Sequence, residues 1–311
     1  MKIFESLGAL ERFPNPVVTI GNYDGIHIGH RRIIAEVVQK ARQISGTPML
    51  MTFYPHPQSV LNPEAYTRLV TPLHLKKKLI ETSGIEVLVI VSFDETFRNV
   101  GPESFVKDVL VSKVGVKAVV IGYDFRFGKA GAGDIAMLKR LAGENGFSVD
   151  VVDAVTIEGE KVGSNMIRKL IMNGEVGRAA ICLGRPHVIE GIVVKGEKRG
   201  RDMGFPTINL ETISELVPKN GVYVTEVEVD NIRLPAVTNI GFNPTFDGTK
   251  LLVETYILDF SGDLYGREVA IHFHERIRDE IKFESMDALK ERIAKDVEVT
   301  RSRFQSVKTG D

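Results

Sequence analysis

Two rhythms of apolar residues divide the chain. In the first, short apolar runs of strand length at residues 17–20, 48–53, 87–92, 118–121 and 148–152 alternate with longer stretches of helical periodicity. The clearest of those, residues 31–45, carries Ile33, Ile34, Val37, Val38 and Ala41 on one face; residues 73–82, 103–114 and 133–145 read as helices in the same way. Strands alternating with helices predict a parallel sheet covered on both faces.

The rhythm changes after a helical stretch at residues 166–172 and 176–181. Residues 188–194, 222–229, 234–240, 252–258 and 268–274 are strand-like, Gly and Pro punctuate the gaps, and no helical pattern intervenes. That predicts a small antiparallel barrel or sandwich. A terminal helix follows, with Met286, Leu289, Ile293 and Val297 on one stripe. The expected architecture is an α/β domain over residues 1–183, with a Rossmann-like parallel sheet, and a mainly antiparallel β-barrel domain with a C-terminal helix over residues 184–311.

Charge narrows the function classes. Lys and Arg total 40 against 41 Asp and Glu, a formal charge of −1 on 311 residues. No global basic field exists to hold nucleic acid or an anionic membrane, so any phosphate site must be a local arrangement. The single cysteine, Cys182, excludes an internal disulfide framework and a multi-cysteine zinc site, and is expected to be a small buried residue. No signal-peptide pattern opens the chain and no apolar run approaches the roughly 18 residues of a membrane span, so a cytoplasmic protein is expected. The run Lys76-Lys77-Lys78 reads as a solvated helix face.

The strongest local signal is Gly21-Asn22-Tyr23-Asp24-Gly25-Ile26-His27-Ile28-Gly29-His30. It follows the first strand and opens the first helix, where free N–H groups and the positive dipole end favour an anion. Gly25 and Gly29 allow close approach of the backbone, and two imidazoles three residues apart can stabilise developing phosphate charge. A turn with two surface histidines would have the same spacing.

This stretch resembles the histidine signature of nucleotidyltransferases, itself similar to that of class I aminoacyl-tRNA synthetases. More closely, it resembles the N-terminal module of prokaryotic bifunctional riboflavin kinase/FMN adenylyltransferases (FAD synthetases). Further segments match that family in order: Thr52-Phe53-Tyr54-Pro55-His56-Pro57, Gly122-Tyr123-Asp124-Phe125-Arg126-Phe127-Gly128, Val162-Gly163-Ser164-Asn165-Met166-Ile167-Arg168, Gly204-Phe205-Pro206-Thr207-Ile208-Asn209 and Val253-Glu254-Thr255. The resemblance implies an N-terminal domain that converts FMN and ATP to FAD and pyrophosphate. It implies a C-terminal domain that phosphorylates riboflavin to FMN, with Mg²⁺ in both steps.

It also implies the site. His27, His30 and Arg168 would serve adenylyl transfer, with Gly21, Asp24, Gly25, Gly29, Ser164 and Asn165 around the ATP phosphates. Phe53, Pro55, His56, Pro57, Asp124, Phe125 and Phe127 would hold the flavin. In the kinase half Gly200, Arg201, Gly204, Thr207 and Asn209 would hold ATP, Thr207 and Asn209 also the metal, and Glu254 would be the general base. An anion would also account for a guanidinium near a helix N-terminus, which the dipole otherwise disfavours. Tyr23, Gly163, Asn165 and Ile208 stand where the family usually has Phe, Ser, Thr and Ala. A homo-oligomer, a paralogue with one active module, a non-catalytic flavin-binding regulator and a nucleotidyltransferase with another acceptor all stay open at this point.

Overall fold

In the computed structural model, which describes residues 1–65, 68–196, 204–245 and 248–308, the two rhythms become two compact units, Met1–Ser164 and Asn165–Asp311. The first is built on a six-stranded parallel sheet of β1 (Lys2–Phe4), β2 (Val17–Ile20), β3 (Pro48–Tyr54), β4 (Val87–Ser92), β5 (Ala118–Gly122) and β6 (Ser148–Val152), in the order β1-β4-β3-β2-β5-β6. All four residues of β2 are buried, as a central parallel strand requires. The sequence offers no signal for β1: three edge residues, two of them exposed, carry too little periodicity to read.

Helices α1 (Ile28–Gln43), α2 (Pro57–Leu61), α3 (Leu73–Glu81), α4 (Pro102–Ser104) and α5 (Ile135–Asn145) lie between the strands. Strand order runs from β2 to β3 and β4 on one side and to β5 and β6 on the other. The switch point between β2 and β5 is where open α/β sheets leave a crevice at their carboxyl ends. The expected ordinary helix over residues 103–114 is instead a π-helix, Phe105–Val114, continuing α4. Its wider turn stacks Phe105 over Leu110, so Phe105, Val106, Val109, Leu110 and Val114 all reach the core. The solvated reading of the lysine run fails at Lys76, which is 4% exposed. It shares its helix face with Leu73 and Ile80, at i, i+3 and i+7.

Helix α6 (Ser164–Met172) opens at the last residue of the first unit, and in the second unit its remainder and α7 (Val176–Leu183) precede a closed antiparallel barrel. Its strands are β9 (His187–Val194), β10 (Thr207–Thr212), β11 (Gly221–Val229), β12 (Ile232–Thr245), β13 (Gly248–Ile257) and β14 (Glu268–Arg278), ordered β10-β13-β12-β11-β14-β9 and closed by β9 against β10. A small hairpin, β7 (Thr156–Ile157) and β8 (Glu160–Lys161), closes the first unit. Inside the barrel pack Ile189, Val193, Leu210, Tyr223, Val227, Ile240, Val253, Ile271 and Phe273, together with Val176 of α7. Cys182 is buried, as expected.

The terminal helix α8 (Met286–Lys308) departs from its expected stripe. Met286 is 56% exposed, while Asp296 and Thr300 are buried. The Arg278 guanidinium donates to the Asp296 carboxylate at 2.8–3.2 Å, so a charged pair on the barrel wall sets which face docks. Val297 packs beside it against Val222, Val237 and Leu258.

Candidate active sites

The loop leaving β2 is wound through left-handed backbone at Tyr23 (φ 49°), Gly25 (φ 92°) and Ile26 (φ 41°). Two of these are not glycine, so the surroundings must hold the conformation against its cost. They do so with buried polar groups. The Asp24 carboxylate, 1% exposed, accepts the backbone N–H groups of Val70 (3.2 Å) and Thr71 (3.1 Å). The Lys76 ammonium donates to the Asn22 carbonyl at 2.7 Å, and the Thr52 hydroxyl donates to the same oxygen at 3.1 Å. Burial lowers the Lys76 pKa to about 8, against the pull of Asp24. Tyr23, buried and hydrogen-bonded to the Thr19 hydroxyl, is pushed up by desolvation.

His27 and His30 emerge from this brace with their rings stacked, centroids 3.6 Å apart and planes at 21°. His27 caps α1: its Nδ1 accepts the His30 backbone N–H at 3.3 Å, which leaves any proton on Nε2. His30 Nδ1 is sealed from solvent and has no hydrogen-bond partner among the described residues. Burial, then the charges of His27 and Lys76, hold the His30 pKa well below its ordinary value, so the ring is neutral. Gly29 lies under the His27 imidazole; a Cβ there would come within 3.1 Å of the ring. Gly21 sits similarly beneath Tyr23.

The Ser164 hydroxyl donates to the Asp24 carbonyl at 2.8 Å, which brings the start of α6 to the histidine loop. Asn165 and Arg168 belong to the second unit. Arg168 is buried and donates to the Asn165 side-chain oxygen at 2.7 Å. That amide is the polar partner the sequence left unspecified for the guanidinium.

Beside the loop lies a cavity of about 270 Å³. Phe53, Pro57, Phe125 and Phe127 line it, with Gly21 and Asn22 at the start of the loop. Phe125 and Phe127 stack at 5.6 Å with planes at 15°. Three further lining rings, Phe93, Phe97 and Phe105, escaped the sequence reading; they lie after β4 and at the start of the π-helix, where neither motif nor periodicity marks them. Pro55, His56 and Asp124 do not line the cavity. His56 instead caps α2, its Nδ1 accepting the Gln58 N–H at 3.2 Å, and Asp124 is exposed.

The barrel carries the second cluster. On β10, Thr207 and Asn209 share one face, and Asn209 stands opposite Glu254 of β13. Glu254 in turn stands opposite Asn239 of β12, so Asn209, Glu254 and Asn239 form a row across three strands. Directly opposed residues have Cβ atoms about 5 Å apart on one face. The row faces outward, since Val253 and Thr255 point into the barrel; Glu254 is half-buried. Ile208 packs against the barrel core, on the opposite face from Thr207 and Asn209. A Cβ at Gly196 would fall 2.1 Å from the Asn209 amide nitrogen, so only glycine lets that backbone cover Asn209. Gly204 is exposed in a left-handed turn (φ 87°), and Gly200 and Arg201 lie outside the described residues.

These two clusters coincide with two family matches. The FAD synthetase family matches residues 10–166 and the riboflavin kinase family residues 183–304. A Bacillus subtilis protein named bifunctional riboflavin kinase/FMN adenylyltransferase is 37% identical over 94% of this chain and 93% of its own. An Escherichia coli protein of the same name is 34% identical over 98% of both. A Streptococcus pneumoniae structure described as a macrolide-efflux protein superposes with a TM-score of 0.89 at 31% identity, over 96% of this chain and 98% of that one. Among the described residues no helix is long and apolar enough to cross a membrane. The chain belongs to the family of bifunctional riboflavin kinase/FMN adenylyltransferases.

Proposed function

We propose that this chain makes FAD in two ATP-dependent steps, one at each cluster. Residues 1–183 act as the adenylyltransferase module and residues 184–311 as the kinase module. The observation that carries the reading is the pairing of a stacked histidine couple beside an aromatic cavity with a half-buried carboxylate between two asparagines on a barrel.

In the barrel the riboflavin 5′-hydroxyl oxygen attacks the γ-phosphorus of ATP. Its proton passes to the Glu254 carboxylate, and ADP leaves. An alcohol is a poor nucleophile, so a base positioned there contributes directly to the rate. The Thr207 hydroxyl and Asn209 amide oxygen are hard oxygen donors on one strand face beside Glu254, a set that fits Mg²⁺ better than a softer metal. They would hold the ion, which supplies charge neutralisation at the phosphates. Gly200, Arg201 and Gly204 would contribute to ATP binding.

In the adenylyltransferase module an FMN phosphate oxygen attacks the α-phosphorus of ATP, and the bond to the β-phosphate breaks to release pyrophosphate. FMN's phosphate is largely dianionic at neutral pH, with a second pKa near ~6, so no base is needed. His27 and His30 stabilise the charge that develops at phosphorus. Gly21, Gly25 and Gly29 let the backbone approach the nucleotide. Ser164, bonded to the loop, holds its phosphates, and the family resemblance assigns Asn165 and Arg168 the same role, while Asp24 acts by keeping the loop in shape. The flavin ring lies among Phe53, Pro57, Phe125 and Phe127, the cavity's own lining. An ATP-consuming enzyme with one buried cysteine suits the cytoplasm.

Pure protein with ATP and Mg²⁺ tests the reading, given riboflavin in one tube and FMN in another. FAD is expected from both. FMN alone from the first tube would mean that the adenylyl site is silent, and no product in either would overturn the proposal.

A further inference from the structure

Arg126 lies between Phe125 and Phe127 in the chain, and it is the exposed cation of the cavity lining. Phe125 is half-buried and Phe127 buried, but Arg126 is exposed. The cavity has one other charged lining residue, Arg98, which donates to the Glu95 carboxylate at 2.7 Å. Arg126 makes no hydrogen bond or ion pair among the described residues. A cationic fork on the rim of an apolar cavity, held to no carboxylate, is placed for an anion that arrives with the ligand.

The rest of the lining cannot supply the selectivity that the reaction requires. Rings at 53, 93, 97, 105, 125 and 127 offer faces and edges to a planar heterocycle, and they do so equally whether or not its side chain ends in phosphate. Yet only a phosphorylated flavin can be adenylylated, and riboflavin is present wherever the kinase works. At about 270 Å³ the cavity is just under the roughly 300–1,000 Å³ of common small-molecule sites. A tricyclic ring fills it and leaves the polar side chain at the rim. Gly21 and Asn22 line the same cavity and lead directly into His27. We infer that Arg126 is a specificity-determining residue: its guanidinium binds the phosphate of the flavin and selects FMN over riboflavin at the adenylyl site. This inference rests on the proposed function, since it takes the cavity to be the flavin site.

The test measures FAD formation by the full chain in a Glu254→Gln background, where riboflavin is not phosphorylated, with FMN as the varied substrate and riboflavin as a competing ligand. Arg126→Ala should raise KM for FMN roughly ten- to hundredfold, the range of a charge-assisted hydrogen bond, and leave the riboflavin inhibition constant within about twofold. Arg126→Lys should recover part of the loss, because it keeps the charge but not the fork. Raising the salt concentration should erode FMN preference with Arg126 in place and not in Arg126→Ala. Equal rises for FMN and riboflavin would make Arg126 a wall of the cavity and overturn the inference, as would no change in either. Phe125→Ala separates this failure from a wrong cavity. If it weakens both flavins while Arg126→Ala changes neither, the cavity holds flavin and only the phosphate assignment falls. If Phe125→Ala also changes neither, the flavin site itself is misplaced. Melting temperatures of both variants report whether they fold.

Discussion

The two sites are built by opposite means. In the first unit nearly every polar group that shapes the histidine loop is buried and spoken for by a specific partner: Asp24 by two backbone N–H groups, the Asn22 carbonyl by Lys76 and Thr52, the Asp24 carbonyl by Ser164. In the barrel the frame is the strand ladder. Strand register sets Asn209, Glu254 and Asn239 side by side, and alternation turns them outward. An irregular loop has to be held in place residue by residue. A ladder is held by its backbone, so its side chains are free to be chosen for chemistry. Substitutions in the loop should therefore cost stability as well as rate, and substitutions in the row mainly rate.

The largest effect should come from Glu254→Gln. It keeps the shape and removes the base, and FMN formation should fall about 10²–10⁴-fold, the usual contribution of general base catalysis. FAD formation from supplied FMN should be unchanged. Loss of both activities would mean that the row supports more than its own site. His30→Ala is the mirror experiment. FAD formation should fall by roughly 10²–10³, as when one charge-stabilising donor is removed, with FMN formation intact. If FAD formation survives, the stacked pair is structural.

Lys76 tests whether the loop's brace carries a cost. Its folded pKa of about 8 lies below the usual lysine value of 10.5. Between those values the unfolded chain binds more protons, so stability should rise as pH increases from about 8 to 10.5. The gain is on the order of 3 kcal/mol at most, taking 1.36 kcal/mol per pKa unit. Lys76→Met should lack it. Denaturant unfolding of both proteins across that range checks the sign, and parallel curves would contradict a buried ammonium. At the acid end burial lowers His187 to about 4, so its contribution in the barrel is full above pH 6.5 and fades as pH falls toward 4.

How much of this was readable in advance follows the same division. Parallel strands are legible at the centre and the edge of the sheet alike: buried residues 87–92 and half-buried residues 148–152 both have the bounds that their apolar runs suggest. Six-residue β10 did not, because Thr-Ile-Asn-Leu-Glu-Thr alternates beneath a motif that drew attention to its chemistry. Three lysines in a row have the look of a solvated face, although Leu73 and Ile80 put the first of them, Lys76, on the buried one. Asp24 was placed among phosphate-binding groups by resemblance, and only the fold reveals the backbone of residues 70 and 71 waiting for its carboxylate. Asn239 could not be found from the sequence at all, since its place beside Glu254 depends on register between strands. Local signals are legible where the motif is contiguous, and contacts across tens of residues are not.

Ile208 gives the finest test of the contrast. It stands between two residues assigned to ATP and metal, where the resembled signature has alanine, and a bulky side chain there would crowd them if the segment were irregular. As a strand, β10 sends Ile208 inward against the barrel core while Thr207 and Asn209 face out. Ile208→Ala should therefore act on the core and not on the site. A fully buried Ile→Ala change costs about 2–5 kcal/mol; Ile208 is half-buried, so a loss of roughly 1–2 kcal/mol is expected in denaturant unfolding. KM for ATP and the Mg²⁺ dependence of FMN formation should stay within about twofold. A variant that binds ATP more tightly at unchanged stability would show that the isoleucine does crowd the ligands, and that the ladder does not separate scaffold from chemistry as cleanly as its register indicates.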